Sequence, residues 1–228
     1  MGSEPAPITM EQEHHHHVVF ENAYVKVVYV EIPPHESTLY HRHDLPYLSF
    51  PPPSLADLTP PSTNGHSLPA GPHVSYAVGG FSHTVTNTSD ITLRNIAIEL
   101  LRPQGTVRNR CAEVLRGQPL NDCDKPAASS TTFPVHYTLF ETDGIAVEDW
   151  EIAPGSTISP ADARVSTLVG AMNGISDVTG GGDSRMVPQA GLLWLLADSK
   201  ATLKAGPDAT GHFVMIRFKD SVRPESAP

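Results

Sequence analysis

No apolar run in the 228 residues approaches the length of about 20 that a membrane-crossing helix needs. Positive charge is also scarce: 15 Lys and Arg stand against 25 Asp and Glu, a formal net charge of −10. The basic residues are scattered and form no patch. Neither a membrane nor a nucleic acid is therefore expected as a partner. Met1 to Met10 lacks both a basic n-region and an apolar h-region, so no signal peptide is read there. The compartment stays open between cytoplasm and export. Cysteine occurs only twice, as Cys111 and Cys123, in a loop-like stretch. Two free thiols fit a reducing compartment, and a disulfide restraining that stretch fits an oxidising one. The Gly-x-Ser-x-Gly elbow is missing, which leaves a serine hydrolase without support. Gly180-Gly181-Gly182 lacks a following Lys-Ser/Thr and reads as a flexible loop, not a phosphate cradle.

Proline, by contrast, is abundant, with 22 residues. That is about twice the average usage, and with many short apolar runs it favours strands and turns over long helices. Strand-like runs cover Val18–Phe20, Tyr24–Ile32, Leu39–Phe50, Val74–Val78, Thr84–Thr86 and Ile91–Leu101. A Pro-rich loop fills residues 51–71. An internal repeat follows. Phe20-Glu21 recurs as Phe140-Glu141, Val27 as Val147, and Glu31-Ile32-Pro33-Pro34 as Glu151-Ile152-Ala153-Pro154, all at a shift of 120 positions. Asn95–Leu100 likewise resembles Phe213–Phe218. The organisation expected is a loose arm (1–17), a first β-domain (18–102), a connector (103–133), a second β-domain (134–222) and a tail (223–228).

Chemistry concentrates in the first half. Tyr40-His41-Arg42-His43 places two imidazoles two residues apart in a strand-like run, so both rings face one side. A third, His83, follows Gly79-Gly80-Phe81-Ser82. Taken singly, each histidine reads as a polar surface residue. Taken together, three neutral imidazoles suit a divalent transition metal with coordination positions left for substrate.

These segments resemble the cupin superfamily. Its first motif is a Pro/Gly-containing turn, then H-x-H, then a carboxylate four or five positions on; its second is P-x-G-x-x-H-x-x-x-N. Here the first reads Pro33-Pro34-His35-Glu36-Ser37-Thr38-Leu39-Tyr40-His41-Arg42-His43, and the second reads Val78-Gly79-Gly80-Phe81-Ser82-His83-Thr84-Val85-Thr86-Asn87. The resemblance covers residues 18–101 and extends weakly to 135–220 through the repeat. It implies an all-β fold of two jelly-roll-like barrels in tandem, a bicupin, with His41, His43 and His83 as metal ligands. Two departures stand out. Tyr47 and Leu48 occupy the carboxylate slot, and Asp44 lies off that spacing. His35 stands where glycine is common. The site thus resembles the three-His centres of thiol dioxygenases and diketone-cleaving dioxygenases.

In the second half the ligands are lost. His41 and His43 correspond to Ala161 and Ala163, and His83 and Asn87 fall near Ala201 and Ala205. One divalent metal per chain is expected, Fe(II) first, with Zn(II), Mn(II), Ni(II) or Cu(II) as alternatives. The second barrel is expected to be structural or dimer-forming, and the chain a homodimer. Three neutral ligands leave the ion's full charge in place, which favours a small anionic, chelating substrate. The leading expectation is a dioxygenase-type enzyme in which Tyr47 or Asn87 orients the complex. A non-oxidative isomerase or lyase, or a non-catalytic metal- or ligand-binding protein, are the alternatives. Ligand protonation is expected to weaken substrate binding as pH falls through ~6.5. The run His14-His15-His16-His17 is read as native sequence without a metal role. His66 and His73 are read as surface residues, Arg42 as facing away from the site, and Arg94 as a solvated charge.

Overall fold

The computed structural model describes residues 6–50, 62–63, 66–67, 74–108, 132–159, 164–182, 184–187 and 190–219. The chain divides into two units, Met1–Arg102 and Pro103–Pro228. Among the described residues, regular structure is almost entirely strand, with 3-10 geometry at Met10–Gln12 and at Ala190. No described helix is long and apolar enough to cross a membrane.

The first unit carries β1 (Ile8–Thr9), β2 (His16–Glu21), β3 (Val25–Ile32), β4 (His41–His43), β5 (Tyr47–Phe50), β6 (Ser62–Thr63), β7 (His66–Ser67), β8 (Ser75–Ala77), β9 (Phe81–His83) and β10 (Leu93–Leu100). A five-stranded sheet runs in the order β2-β3-β10-β5-β8, and a three-stranded one in the order β1-β4-β9. The second unit carries β11 (Val135–Glu141), β12 (Ile145–Ile152), β13 (Thr157–Ile158), β14 (Thr167–Asn173), β15 (Ile175–Gly181), β16 (Ser184–Val187), β17 (Leu192–Leu195), β18 (Lys200–Ala205) and β19 (Gly211–Phe218). Its sheets follow β11-β12-β19-β14-β17-β16 and β13-β18-β15.

The repeat is visible in the register. Phe20 faces Val27 after a shift between Val18 and Phe20, and Phe140 faces Val147 after a shift between Thr138 and Phe140. The turns after these strands are capped alike. Asn22 Oδ1 accepts from the N–H groups of Tyr24 and Val25, and Thr142 Oγ1 accepts from those of Gly144 and Ile145. Leu100 lies opposite Val25, and Phe218 lies opposite Ile145. His35 has φ +61°, and its repeat partner Gly155 has φ +69°. That left-handed conformation explains why glycine is the common choice there.

The expected loose arm is corrected for residues 8–17, which are ordered against the first unit. Ile8 and Thr9 pair in parallel with His41 and Arg42. Met10 is 2% exposed and joins a core of Val28, Val30, Ile32, Leu93 and Ala97. That apolar anchor, together with the buried Glu13, holds the segment down. The start of the expected connector belongs to the second unit, because Arg108 bridges Glu141 and Thr142 Oγ1 donates to Gln104 at 2.7 Å. Cys111, Cys123, His73, Ala161 and Ala163 lie outside the described residues. In the second unit, Ala201 and Ala205 are buried among Ile152, Val169, Leu203, Phe213 and Met215. Burial of each large side chain of this kind contributes on the order of 2 kcal/mol.

Candidate metal centre

Strand alternation builds the site. In β4, His41 and His43 are buried and Arg42 between them is exposed. Arg42 Nε pairs with Asp44 at 2.7 Å, which leaves Asp44 directed away from the histidines. Pro46 lacks an N–H and ends the run, so the expected strand Leu39–Phe50 is two short strands. β9 lies antiparallel to β4 with His83 opposite His41 and Phe81 opposite His43. Residues directly opposite in a ladder share a face, so the third imidazole arrives beside the first two. The turn before β9 requires Gly79: φ is +78°, and a Cβ there would lie 2.5 Å from the Leu45 carbonyl. Gly80 N–H then donates to the His43 carbonyl at 2.7 Å.

His41 Nε2 is the shared neighbour of the other two Nε2 atoms. His41 Nε2 lies 3.2 Å from His43 Nε2 and 3.1 Å from His83 Nε2. Nitrogens held about 2.1 Å from one ion are about 3.0 Å apart at right angles and about 3.4 Å apart at tetrahedral angles, so the spacing fits a shared divalent metal. Hydrogen bonding alone satisfies it poorly. His41 Nδ1 lies 2.8 Å from the Leu39 carbonyl, which fixes the proton on Nδ1 and a lone pair on Nε2. Two neighbouring rings then approach one lone pair. His43 Nδ1 is buried without a hydrogen-bond partner. Packing holds that ring instead, stacked 4.6 Å from Tyr47 and 5.5 Å from Phe81.

Burial keeps the His43 and His83 rings neutral. It pushes His43 down to about 3, with repulsion from His83 and His41 adding to the effect. It pushes His83 down to about 4, again with His41 contributing. Both lone pairs are therefore available to an ion well below neutral pH.

Tyr47, expected to orient substrate, lies against the cluster through its stack on His43. Asn87 is placed differently from the expectation. It is fully buried and donates from Nδ2 to the carbonyls of Ile32, Pro33 and Ile91, while its Oδ1 accepts from Ser89 N–H. Its polar atoms are spent on backbone groups, so it clasps two turns together and does not face a substrate. Arg94 Nε donates to Glu31 at 2.8 Å across the ladder, on the opposite face of β10 from Leu93 and Ala97.

Two groups escaped the sequence reading. Glu99 is 4% exposed and faces both Tyr47 and Lys26 in the ladders. Burial raises its carboxyl to about 7, against the pull of Lys26. His16, from the histidine run given no metal role, offers a ring nitrogen within 4.8 Å of those of His41 and His43. Its ring centroid is 4.8 Å from that of His41. A parallel neighbour of β4, β1, ends just before the turn that delivers it.

No family model matches the chain and no curated protein is similar to it. Solved structures are. A cupin 2 conserved barrel domain protein from Leptotrichia buccalis aligns over 90% of this chain and 88% of its own, with TM-score 0.50 and 9% identity. A putative glyoxylate-induced protein from Pseudomonas aeruginosa aligns over 86% of this chain and 74% of its own, with TM-score 0.53 and 15% identity. A salicylate 1,2-dioxygenase from Pseudoaminobacter salicylatoxidans, solved with gentisate, aligns over 86% of this chain and 68% of its own, with TM-score 0.51 and 12% identity.

Proposed function

We propose that this chain, whose fold is that of cupin barrels in tandem, is a metal-dependent oxidoreductase of the dioxygenase type. Its site would hold one divalent transition metal, Fe(II) first, on His41, His43 and His83. The observation that carries the reading is that His41 Nε2 lies only 3.2 Å from His43 Nε2 and 3.1 Å from His83 Nε2. The fold shared with a salicylate 1,2-dioxygenase supports the same reaction class. When bound, a redox-active ion supplies the electron-transfer step between an organic substrate and dioxygen.

The chain's own residues set the rest. Three uncharged imidazoles leave the ion's charge uncompensated, so a small anionic, chelating substrate is favoured. The buried apolar cluster of Val28, Val30, Ile32 and Ala97, against which Tyr47 packs, would keep the dielectric low on that side and strengthen the attraction. Tyr47, stacked on His43, would be the residue that donates a hydrogen bond to a substrate oxygen. His41 is held in its tautomer by the Leu39 carbonyl.

Elemental analysis of the native protein, joined to oxygen uptake with thiol, diketone, phenolic and hydroxy-acid substrates, tests the reading. One metal per chain and substrate-dependent O2 consumption are expected. Iron-loaded protein that consumes no O2 with any of these classes would remove the oxygenase assignment.

A further inference from the structure

We infer that His16 is a fourth histidine ligand of the same metal, delivered by the N-terminal segment and positioned by Glu13. The inference rests on the metal-site reading above and deepens it.

The segment is fixed where a ligand is needed. β1 pairs in parallel with β4, putting Ile8 beside His41. Ile8 N–H donates to the Tyr40 carbonyl at 3.0 Å. Met10 is locked in the core, and the chain turns back so that His16 faces Val30 in the ladder. Val30 is a core residue, so the His16 ring lies on the core face of that ladder. The side chain is 6% exposed. Nitrogens bound to one ion at about 2.1 Å are at most about 4.2 Å apart. The spread of up to 4.8 Å among the ring nitrogens of His16, His41 and His43 closes with a small rotation.

Glu13 supplies the orientation. Its carboxylate is fully buried and lies 2.5 Å from His16 Nδ1. It also accepts from the N–H groups of His15 at 2.8 Å and Leu39 at 3.2 Å, and lies 3.3 Å from His14 Nδ1. With Nδ1 engaged, Nε2 is the atom left to meet the other rings. A carboxylate behind a ligating imidazole is the usual way a protein fixes its tautomer and raises its basicity.

The charge balance points the same way. Burial raises Glu13, but hydrogen bonds from His16, Leu39 and His15 outweigh it and hold the carboxyl below its ordinary value. His16 does not supply the counter-charge. Burial, only partly offset by the Glu13 hydrogen bond, holds it below the ordinary histidine value. A buried anion thus leads through a neutral imidazole into three more imidazoles. A divalent cation among them completes the chain.

The test uses full-length protein loaded with Co(II). X-ray absorption of the wild type should count four imidazoles, and this readout does not depend on any variant folding. His16→Ala should count three and bind Co(II) about 10- to 100-fold more weakly in chelator competition, and Glu13→Gln should also weaken binding. His17→Ala, an exposed neighbour in the same run, should match the wild type. Three imidazoles in the wild type, with unchanged affinity in His16→Ala, would overturn the inference and leave the three-His reading standing. A wild type that binds no Co(II) would overturn both.

Discussion

His41 and His83 stand opposite each other in the β4–β9 ladder with Nε2 atoms 3.1 Å apart. His41 also lies 3.2 Å from His43, so it is the ring around which the others gather. Its loss should be the most damaging. His41→Ala and His83→Ala should each abolish the single equivalent of bound metal, since alanines at 201 and 205 fill the second unit's core instead. Elemental analysis of purified variants checks this. Two equivalents in the wild type, with one retained in each variant, would count against a lone site in the first unit.

The metal-free protein should weaken in mild acid. An unfolded histidine binds its proton near 6.5. Folded His43 waits until about 3 and folded His83 until about 4. As pH falls below 6.5, the unfolded chain gains protons that the folded chain refuses. Stability should therefore drop by about 1.4 kcal/mol per pH unit for each such histidine, down to about pH 4. Thermal melts of chelator-treated protein at pH 7.5 and 5 measure it. Metal-loaded protein should show a smaller dependence over this range, because the ion occupies the atoms the protons seek.

Glu99 should produce the opposite slope. Its folded carboxyl titrates at about 7 and its ordinary value is 4.5, so protonation stabilises the folded state. That contribution is complete below about pH 4.5 and is lost as pH rises through 7. Glu99→Gln, which keeps the shape without the charge, should stabilise the protein by about 2 kcal/mol at pH 8 and change it little at pH 5. Urea denaturation at the two pH values decides it; equal effects at both would show that Glu99 is ionised in the folded protein throughout.

His35 holds φ +61° where its repeat partner is Gly155. A side chain in that conformation costs about 1 kcal/mol, which is offset in part by the entropy glycine loses on folding. His35→Gly should raise stability by roughly 0.5 kcal/mol and leave metal content unchanged. The hydrogen bond from His35 to Asp90 is exposed and contributes little to the balance. A lower melting temperature in the variant would show that this contact matters more than the backbone.

The histidines of β4 and β9 were legible because strand alternation is local: His41 and His43 had to share a face, and Gly79 had to mark the turn before His83. The tandem barrels were legible for a related reason, since Phe20 and Phe140 repeat both the residue and the bulge beside it. His16 was not legible. Its place depends on Ile8 pairing with His41, a contact that no pattern within the histidine run records. Glu99 escaped the sequence for a similar reason. A glutamate in a strand reads as solvent-facing, and only the packing around β10 buries it. Asn87 was recognised as a polar residue of importance, but which carbonyls it clasps is fixed by residues more than fifty positions away.

Tyr47 offers the sharpest separation of chemistry from structure. Its ring stacks on His43 at 4.6 Å and 24°, so a phenylalanine preserves the packing and removes only the hydroxyl. If the phenol donates a hydrogen bond to a substrate oxygen during turnover, Tyr47→Phe should lower kcat about tenfold, the value of one lost hydrogen bond of about 1.4 kcal/mol. Metal content should stay at the wild-type value, because His43 keeps its aromatic neighbour. Tyr47→Ala should behave differently, losing the stack and with it some metal. A phenylalanine variant with wild-type kcat would assign Tyr47 to packing alone, and the proton or hydrogen bond that the reaction needs would then have to come from elsewhere in the barrel, with the buried Glu99 opposite it in the ladder as a titratable candidate.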